Sequence, residues 1–200
     1  IPIPEANGSY LSWSPNGREL AISYLDQDIY IINLDEGTLT PLAGASSSSV
    51  IETMPAWSPD GTEITFVRST ESTDGFSLNG NSELAVVPAQ GGQAILYSGV
   101  PVGQNYYPAY SPDGRWLAFT HHNVASEDSY SSDAADIYLL PLDGGEAFPL
   151  NINSGLSDSW PSWSGDGSWL AFNTKRDGQY DILITQIDAN GRASAPIGFP

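Results

Sequence analysis

The sequence predicts an all-β fold: a β-propeller built from four visible four-stranded antiparallel blades. Three observations predict it. One phrase is written four times, as SWSPNGRELAI at 12–22, AWSPDGTEITF at 56–66, AYSPDGRWLAF at 109–119 and SWSGDGSWLAF at 162–172. The aromatic of each copy, Trp13, Trp57, Tyr110 and Trp163, recurs at spacings of 44, 53 and 53 residues, which suits a four-stranded blade. No segment carries the periodicity of a helix.

Each unit reads alike. A first strand ends at the aromatic, and Ser-Pro-Asp-Gly follows, as in 58–61 and 111–114. Proline presets the backbone at the second turn position, serine bonds back to the chain from the first, and glycine tolerates the fourth. Asn16 replaces the aspartate in the first copy and Gly165 replaces the proline in the fourth. The second strand alternates bulky residues (Leu20/Ile22, Ile64/Phe66, Leu117/Phe119, Leu170/Phe172) with small ones (Ala21, Thr65, Ala118, Ala171). Bulk on one face and small residues on the other let the next sheet approach closely. A third strand starts at an acidic residue, Asp28, Glu83, Asp136 or Asp181, whose recurrence predicts a structural role such as bonding loop backbone. A second turn and a fourth strand complete the unit. Pro41, Pro149 and Pro196 suit an outermost strand, where a missing N–H is tolerated.

The phrase P-[AS]-[WY]-S-P-D-G-x-x-[IL]-[AT]-F, followed by D-I-Y and a Gly-Gly turn, resembles the TolB-like propeller repeat, a relative of the WD repeat. The resemblance runs from about Tyr10 to Ile197, within one domain spanning 1–200. Its blades would lie at approximately 10–42, 54–97, 107–150 and 160–197, with 1–9 as an arm or extra strand. Propellers of this family usually have more blades, so the chain is either a four-bladed ring or part or half of a larger propeller. The resemblance implies an exported protein, periplasmic or extracellular.

The short repeated turns fall on one face of such a ring and the long irregular loops on the other, where function tends to sit. The loop face carries Glu52, Glu71, Asp74, Glu127, Asp128, Asp133 and Asp158. Hard cations take six to eight oxygen ligands, so Glu127, Asp128, Asp133 and Asp136 form the candidate calcium cluster, without the spacing of an EF-hand loop. Tyr10, Tyr107 and Trp160 each stand three residues before the repeat aromatic, with Met54 in the remaining slot and Tyr106 adjoining. Tyr106, Tyr107, Trp160 and Met54 are the candidate partner-binding residues; the alternative is packing where inner strands meet. His121 and His122 are adjacent, so on a strand they point to opposite faces, and they are expected to be ordinary loop histidines.

Composition excludes several functions. Acidic side chains number 24 against 6 basic ones, a net charge of −18 that repels nucleic acid. There is no cysteine, and no apolar run approaches the roughly 18 residues that span a bilayer. The sequence begins at Ile1 and its single methionine is Met54, which suggests a processed chain or a fragment. GLSDS at 155–159 does not match the nucleophile elbow, and no phosphate-binding glycine loop occurs. The expected function is therefore a non-enzymatic binding or scaffolding propeller mediating protein–protein interaction or assembly, with calcium as candidate ligand. The alternative is a carbohydrate-binding or polysaccharide-lyase-type propeller working through the acidic, aromatic-lined face.

Overall fold

The structure is a computed structural model, and it describes residues 8–24, 28–47, 49–70, 80–123 and 134–198. The described residues form four antiparallel meanders of four strands each. The first contains β1 (Gly8–Trp13), β2 (Glu19–Tyr24), β3 (Asp28–Asn33) and β4 (Thr38–Pro41). The second contains β5 (Ile51–Trp57), β6 (Glu63–Ser69), β7 (Ser82–Pro88) and β8 (Ile95–Leu96). The third has β9 (Gln104–Tyr110), β10 (Trp116–His122), β11 (Asp136–Pro141) and β12 (Phe148–Pro149). The fourth has β13 (Asp158–Trp163), β14 (Trp169–Thr174), β15 (Asp181–Gln186) and β16 (Ile197–Gly198). The outermost strand shrinks to two residues in three blades, and Pro41 and Pro149 lie in it.

The repeated turn is held the same way four times. The serine hydroxyl donates to the Asx oxygen two residues on: Ser14 to Asn16 at 2.8 Å, Ser58 to Asp60 at 2.7 Å, and Ser111 to Asp113 and Ser164 to Asp166 at 2.6 Å. The same hydroxyl accepts the amide of the first residue of the next strand, Glu19, Glu63, Trp116 or Trp169. The glycine closes the turn at φ 70–73°, a left-handed conformation open to it because it lacks Cβ. Gly165 changes none of this, since proline contributed only rigidity.

Blades pack in chain order, bulky face onto small face. Ile64 and Phe66 lie against Ala21, Ile29 and Ile31. Leu117 and Phe119 lie against Val67 and Leu84. Leu170 and Phe172 lie against Ala118, Ile137 and Leu139. All six bulky residues are buried, each contributing roughly 1.5–3 kcal/mol of hydrophobic stabilisation. Polar bonds cross the same seams: the Trp57 amide donates to Ser12 Oγ at 3.0 Å, and the Trp163 indole donates to the Ala109 carbonyl at 3.1 Å.

The four blades do not close. The inner strands β1, β5, β9 and β13 contact one another in sequence, but no described strand of the first blade contacts a strand of the fourth. The described residues form an open arc of four blades, not a closed four-bladed ring.

The acid limb of stability should report the turns. Hydrogen bonds from the Ser164 hydroxyl first, then the Ser168 amide and hydroxyl, hold the Asp166 carboxyl down to about 2; Asp60 is lowered by the same kind of contacts. A depressed carboxyl contributes stability that is complete above its ordinary pKa near 3.8 and lost as pH falls towards 2. Asn16 already fills this position without titrating. The double variant Asp60→Asn/Asp166→Asn should therefore lose less stability between pH 4 and 2 than the parent in urea unfolding, while melting within a few degrees of it at pH 7.

Candidate functional site

The inner strand of every blade carries a bulge at one repeat position. Pairing with the second strand skips at Tyr10 in β1, at Met54-Pro55 in β5, at Tyr107-Pro108 in β9 and at Trp160-Pro161 in β13. Extra residues on one strand bend it and re-aim a side chain. The bulge places Tyr10, Met54, Tyr107 and Trp160 in left-handed backbone, at φ 47°, 53°, 54° and 55°. They are the four non-glycine residues of positive φ among the described residues. For such residues the conformation costs roughly 1–2 kcal/mol each, and strain of this kind persists only where the surroundings enforce it.

The enforcing contacts are visible. The Met54 amide donates to Ser23 Oγ at 3.1 Å and the Trp160 amide to Thr120 Oγ1 at 3.2 Å, both hydroxyls belonging to the second strand of the preceding blade. At the third blade the corresponding residue is Val67, which has no hydroxyl, and the Tyr107 amide points to Met54 Sδ at 3.5 Å instead.

The side chains gather around Tyr107. Its ring lies 5.9 Å from Tyr10, 5.0 Å from Tyr106 and 5.1 Å from Trp160, the last two edge-to-face. Tyr107 thus joins the first, third and fourth blades across the axis. A shallow cavity of about 290 Å³ opens over Tyr10, Met54, Tyr107 and Trp160 and the three bulge prolines. Met54 and Tyr106 are buried, Tyr107 is half-buried and Trp160 is exposed. Burial first, then the neighbouring Tyr10, pushes the Tyr107 hydroxyl above its ordinary pKa, so it is a neutral hydrogen-bonding group at any physiological pH. The rim is an apolar, aromatic platform with hydroxyl and indole edges and no carboxylate among its lining residues.

The acidic residues expected on the loop face are placed differently. Glu52 and Asp158 are fully buried. Glu52 pairs with Arg68 and accepts the Ser47 amide, while Arg68 donates to the Gly44 carbonyl. Asp158 pairs with Arg176 at 3.0 Å and accepts the Ser154 amide, and Arg176 donates to the Ile152 carbonyl. Both carboxylates tie the incoming interblade loop to its blade and are not available to a cation. Glu71, Asp74, Glu127, Asp128 and Asp133 lie outside the described residues. Asp136 starts β11; burial first and Asp158 second hold its carboxyl above the ordinary range. The shared structural role expected for the third-strand acids does not appear at two of them: Glu83 and Asp181 are exposed, and Asp181 accepts the amide of its own neighbour Ile182.

The histidines also depart from expectation. They end β10 and are buried, not loop residues. In the third blade Asn105 occupies the place of Glu52 and Asp158, and His121 that of Arg68. Asn105 Nδ2 donates to the Ser82 and Pro101 carbonyls, so its Oδ1 accepts from His121 Nδ1 at 2.9 Å. Burial first and His122 second hold the His121 pKa down to about 4.

Sequence reasoning found the rim residues from their register but missed the left-handed backbone, because bulky residues give no sign of it. The missed signal was the X-Pro step repeated at Pro55, Pro108 and Pro161, with Ser23 and Thr120 across the seam.

No family model matches the chain. The uncharacterized protein Atu1656 of Agrobacterium fabrum is 27% identical over 190 residues, 90% of this chain and 55% of that protein. A TolB homolog of Chlorobium luteolum is 31% identical over 161 residues, 80% of this chain and 32% of that one. The chain thus spans about half or less of the length of these relatives. Among solved structures, TolB from Acinetobacter baumannii matches with a TM-score of 0.71 at 21% identity, over 97% of this chain and 45% of that one. An oligogalacturonate lyase in complex with manganese matches with a TM-score of 0.69 at 16% identity, over 96% of this chain and 54% of that one. The structural likenesses establish the propeller fold alone.

A histidine whose folded pKa is depressed contributes stability that is complete above 6.5 and lost as pH falls towards 4. The His121 ring should therefore show no protonation above about pH 5 in a proton-detected NMR titration. Its Hε1 shift moving with a midpoint near 6.5 would mean that the ring is not held neutral in this blade.

Proposed function

Because the chain is built of TolB-like β-propeller repeats, we propose that it acts as a non-enzymatic binding or scaffolding module whose partner is a protein, in an exported setting, periplasmic or extracellular. The observation that carries this reading is the axial rim, where the backbone strain is stored. Four bulky residues held in left-handed backbone at one repeat position present a preorganised apolar platform. Aromatic anchors of this kind, rigid and amphipathic, dominate the energetics of protein interfaces. Tyr107 and Trp160 make the contact; the buried Met54 and Tyr106 support them. The partner segment that suits the rim is apolar or proline-rich, with basic flanks matched to the net charge of −18.

The second reading, a carbohydrate-binding or lyase-type propeller, is favoured by the same aromatic surface, since rings also stack on sugars, and by the likeness to the oligogalacturonate lyase. It sits less well with the histidines, both buried in β10, one of them committed to Asn105.

Trp160→Ala and Tyr107→Ala should each weaken capture of the protein partner from an exported-protein extract by about tenfold or more while the protein stays folded by circular dichroism. A partner retained equally by both variants would remove the rim from the interface. Binding of both variants' parent to a glycan array, with unsaturated uronate released from pectic fragments, would favour the second reading instead.

Calcium is the remaining part of the proposal. Glu127, Asp128 and Asp133 would supply carboxylates next to Asp136, whose raised pKa a bound cation would reverse. Titration calorimetry should give a heat with calcium that disappears in the Asp133→Asn/Asp136→Asn variant, and chelator should lower the melting temperature. No heat and no shift would remove the metal.

A further inference from the structure

The seam between the second and third blades is built differently from its two neighbours, and the repeat supplies the control. Where the first blade meets the second, Ala21, Ile31, Leu42 and Trp57 share one apolar cluster. Where the third meets the fourth, Ala118, Leu139, Leu150 and Trp163 do the same. At the middle seam those four places are taken by Thr65, Val86, Tyr97 and Tyr110. Three hydroxyls thus enter a layer that is otherwise apolar, and they come from both sides of the seam. They bond one another: Thr65 Oγ1 lies 2.9 Å from the Tyr97 hydroxyl and 2.6 Å from that of Tyr110, and the two tyrosine hydroxyls are 2.9 Å apart. Packing alone gives no reason for the exchange, since the apolar set fills the same layer twice with no hydroxyl to desolvate.

Beside the triad opens a cavity of about 550 Å³, lined by Pro59, Glu63, Val86, Tyr97, Tyr110 and Leu142. Three hydroxyls joined by three contacts use their three protons within the ring, so what they turn to the cavity is acceptor capacity. Glu63 adds a carboxylate. Burial first holds both tyrosine hydroxyls above their ordinary pKa, and the Glu63 charge adds to it. Asp60 and Asp113 also reach the cavity, but Ser58 and Thr62 hold the one in its turn, and Ser111 and Arg115 the other. The site therefore suits a ligand that donates hydrogen bonds and carries positive charge, while Pro59, Val86 and Leu142 offer it an apolar wall.

We propose that this cavity receives a lysine or arginine side chain of the protein partner, its cationic head on the Thr65, Tyr97 and Tyr110 hydroxyls and Glu63, and its stem along Pro59, Val86 and Leu142. Long basic side chains lay their stems on apolar surface while the head stays with polar groups. Charged donors also make the stronger hydrogen bonds, and the net charge of −18 draws such a partner in. Such a seat rests on the protein-binding reading above. It lies apart from the aromatic rim, with which it shares no lining residue.

Amide NMR of the labelled protein tests this with capped five-residue peptides, Gly-Ser-X-Ser-Gly, as probes. The lysine and arginine peptides should shift the amides of Gly61, Glu63, Tyr97 and Gly114 with a Kd of about 1 mM, the range one small side chain supports. The norleucine and glutamate peptides should not. No shift with lysine or arginine, or equal shifts with norleucine, overturns the proposal. Thr65→Ala/Tyr97→Leu/Tyr110→Trp installs the apolar set of the other two seams and should abolish the shifts. Glu63→Gln, an exposed change, should weaken binding by about threefold and carries the test should the triple variant fail to fold. Binding left unchanged by a folded variant overturns the proposal. n-Butylammonium chloride should bind no more tightly than the lysine peptide; tenfold tighter binding would make the ligand a free amine and overturn its assignment to a partner. Trp160→Ala should leave the titration unchanged, so the peptides test the cavity whether or not the rim captures a partner.

Discussion

The packing of a bulky sheet face on a small one is the interaction on which the rest of this molecule depends. A four-stranded meander with two apolar faces cannot stand alone in water. Phe66 and Phe172 find cover where Ala21 and Ala118 leave room on the blade before, and Phe119 finds it against Val67 and Leu84. The same close approach brings Ser23 and Thr120 within hydrogen-bonding distance of the next blade's inner strand, and there they catch the amides of Met54 and Trp160. Hydrophobic burial thus sets the distance, and the polar contacts then have only one place to form.

The strained rim follows from that order of events. Left-handed backbone at a tryptophan, two tyrosines and a methionine opposes folding locally, and it survives because the seams on either side are large. Where the seam supplies no hydroxyl, at Val67, the Met54 thioether stands in at a longer distance. Rim and seams are therefore coupled: a change that loosens a seam by a fraction of an ångström would be felt first at the axis, where the backbone has the most to gain by relaxing.

At the loop end of each blade a different device does the anchoring. Glu52, Asn105 and Asp158 occupy one place in three successive blades and, with Arg68, His121 and Arg176 as their partners, bind the interblade loop by its amides or carbonyls. A buried carboxylate persists there because a guanidinium and backbone N–H groups meet it; the amide–imidazole pair reaches the same end without net charge, provided the histidine stays neutral. Two chemistries serving one geometry in three blades mark this layer as architecture, and they separate it from the aromatic rim.

The sequence alone determined the repeat, the four strands of each blade, the Ser-Pro-Asp-Gly turn and the assignment of bulky and small faces. These rest on local rules, turn chemistry and period-two alternation, which act within ten or so residues. It also picked out Tyr10, Met54, Tyr107 and Trp160 by register. The tertiary structure decided the rest. Whether Glu52 and Asp158 face solvent or an arginine depends on Arg68 and Arg176, 16 and 18 residues away across a strand pair whose side chains sequence cannot aim. Whether the histidines lie in a loop depends on where β10 ends. Whether four blades close or stay open depends on the angle between successive sheets, a sum of small packing displacements over three seams that no single residue encodes.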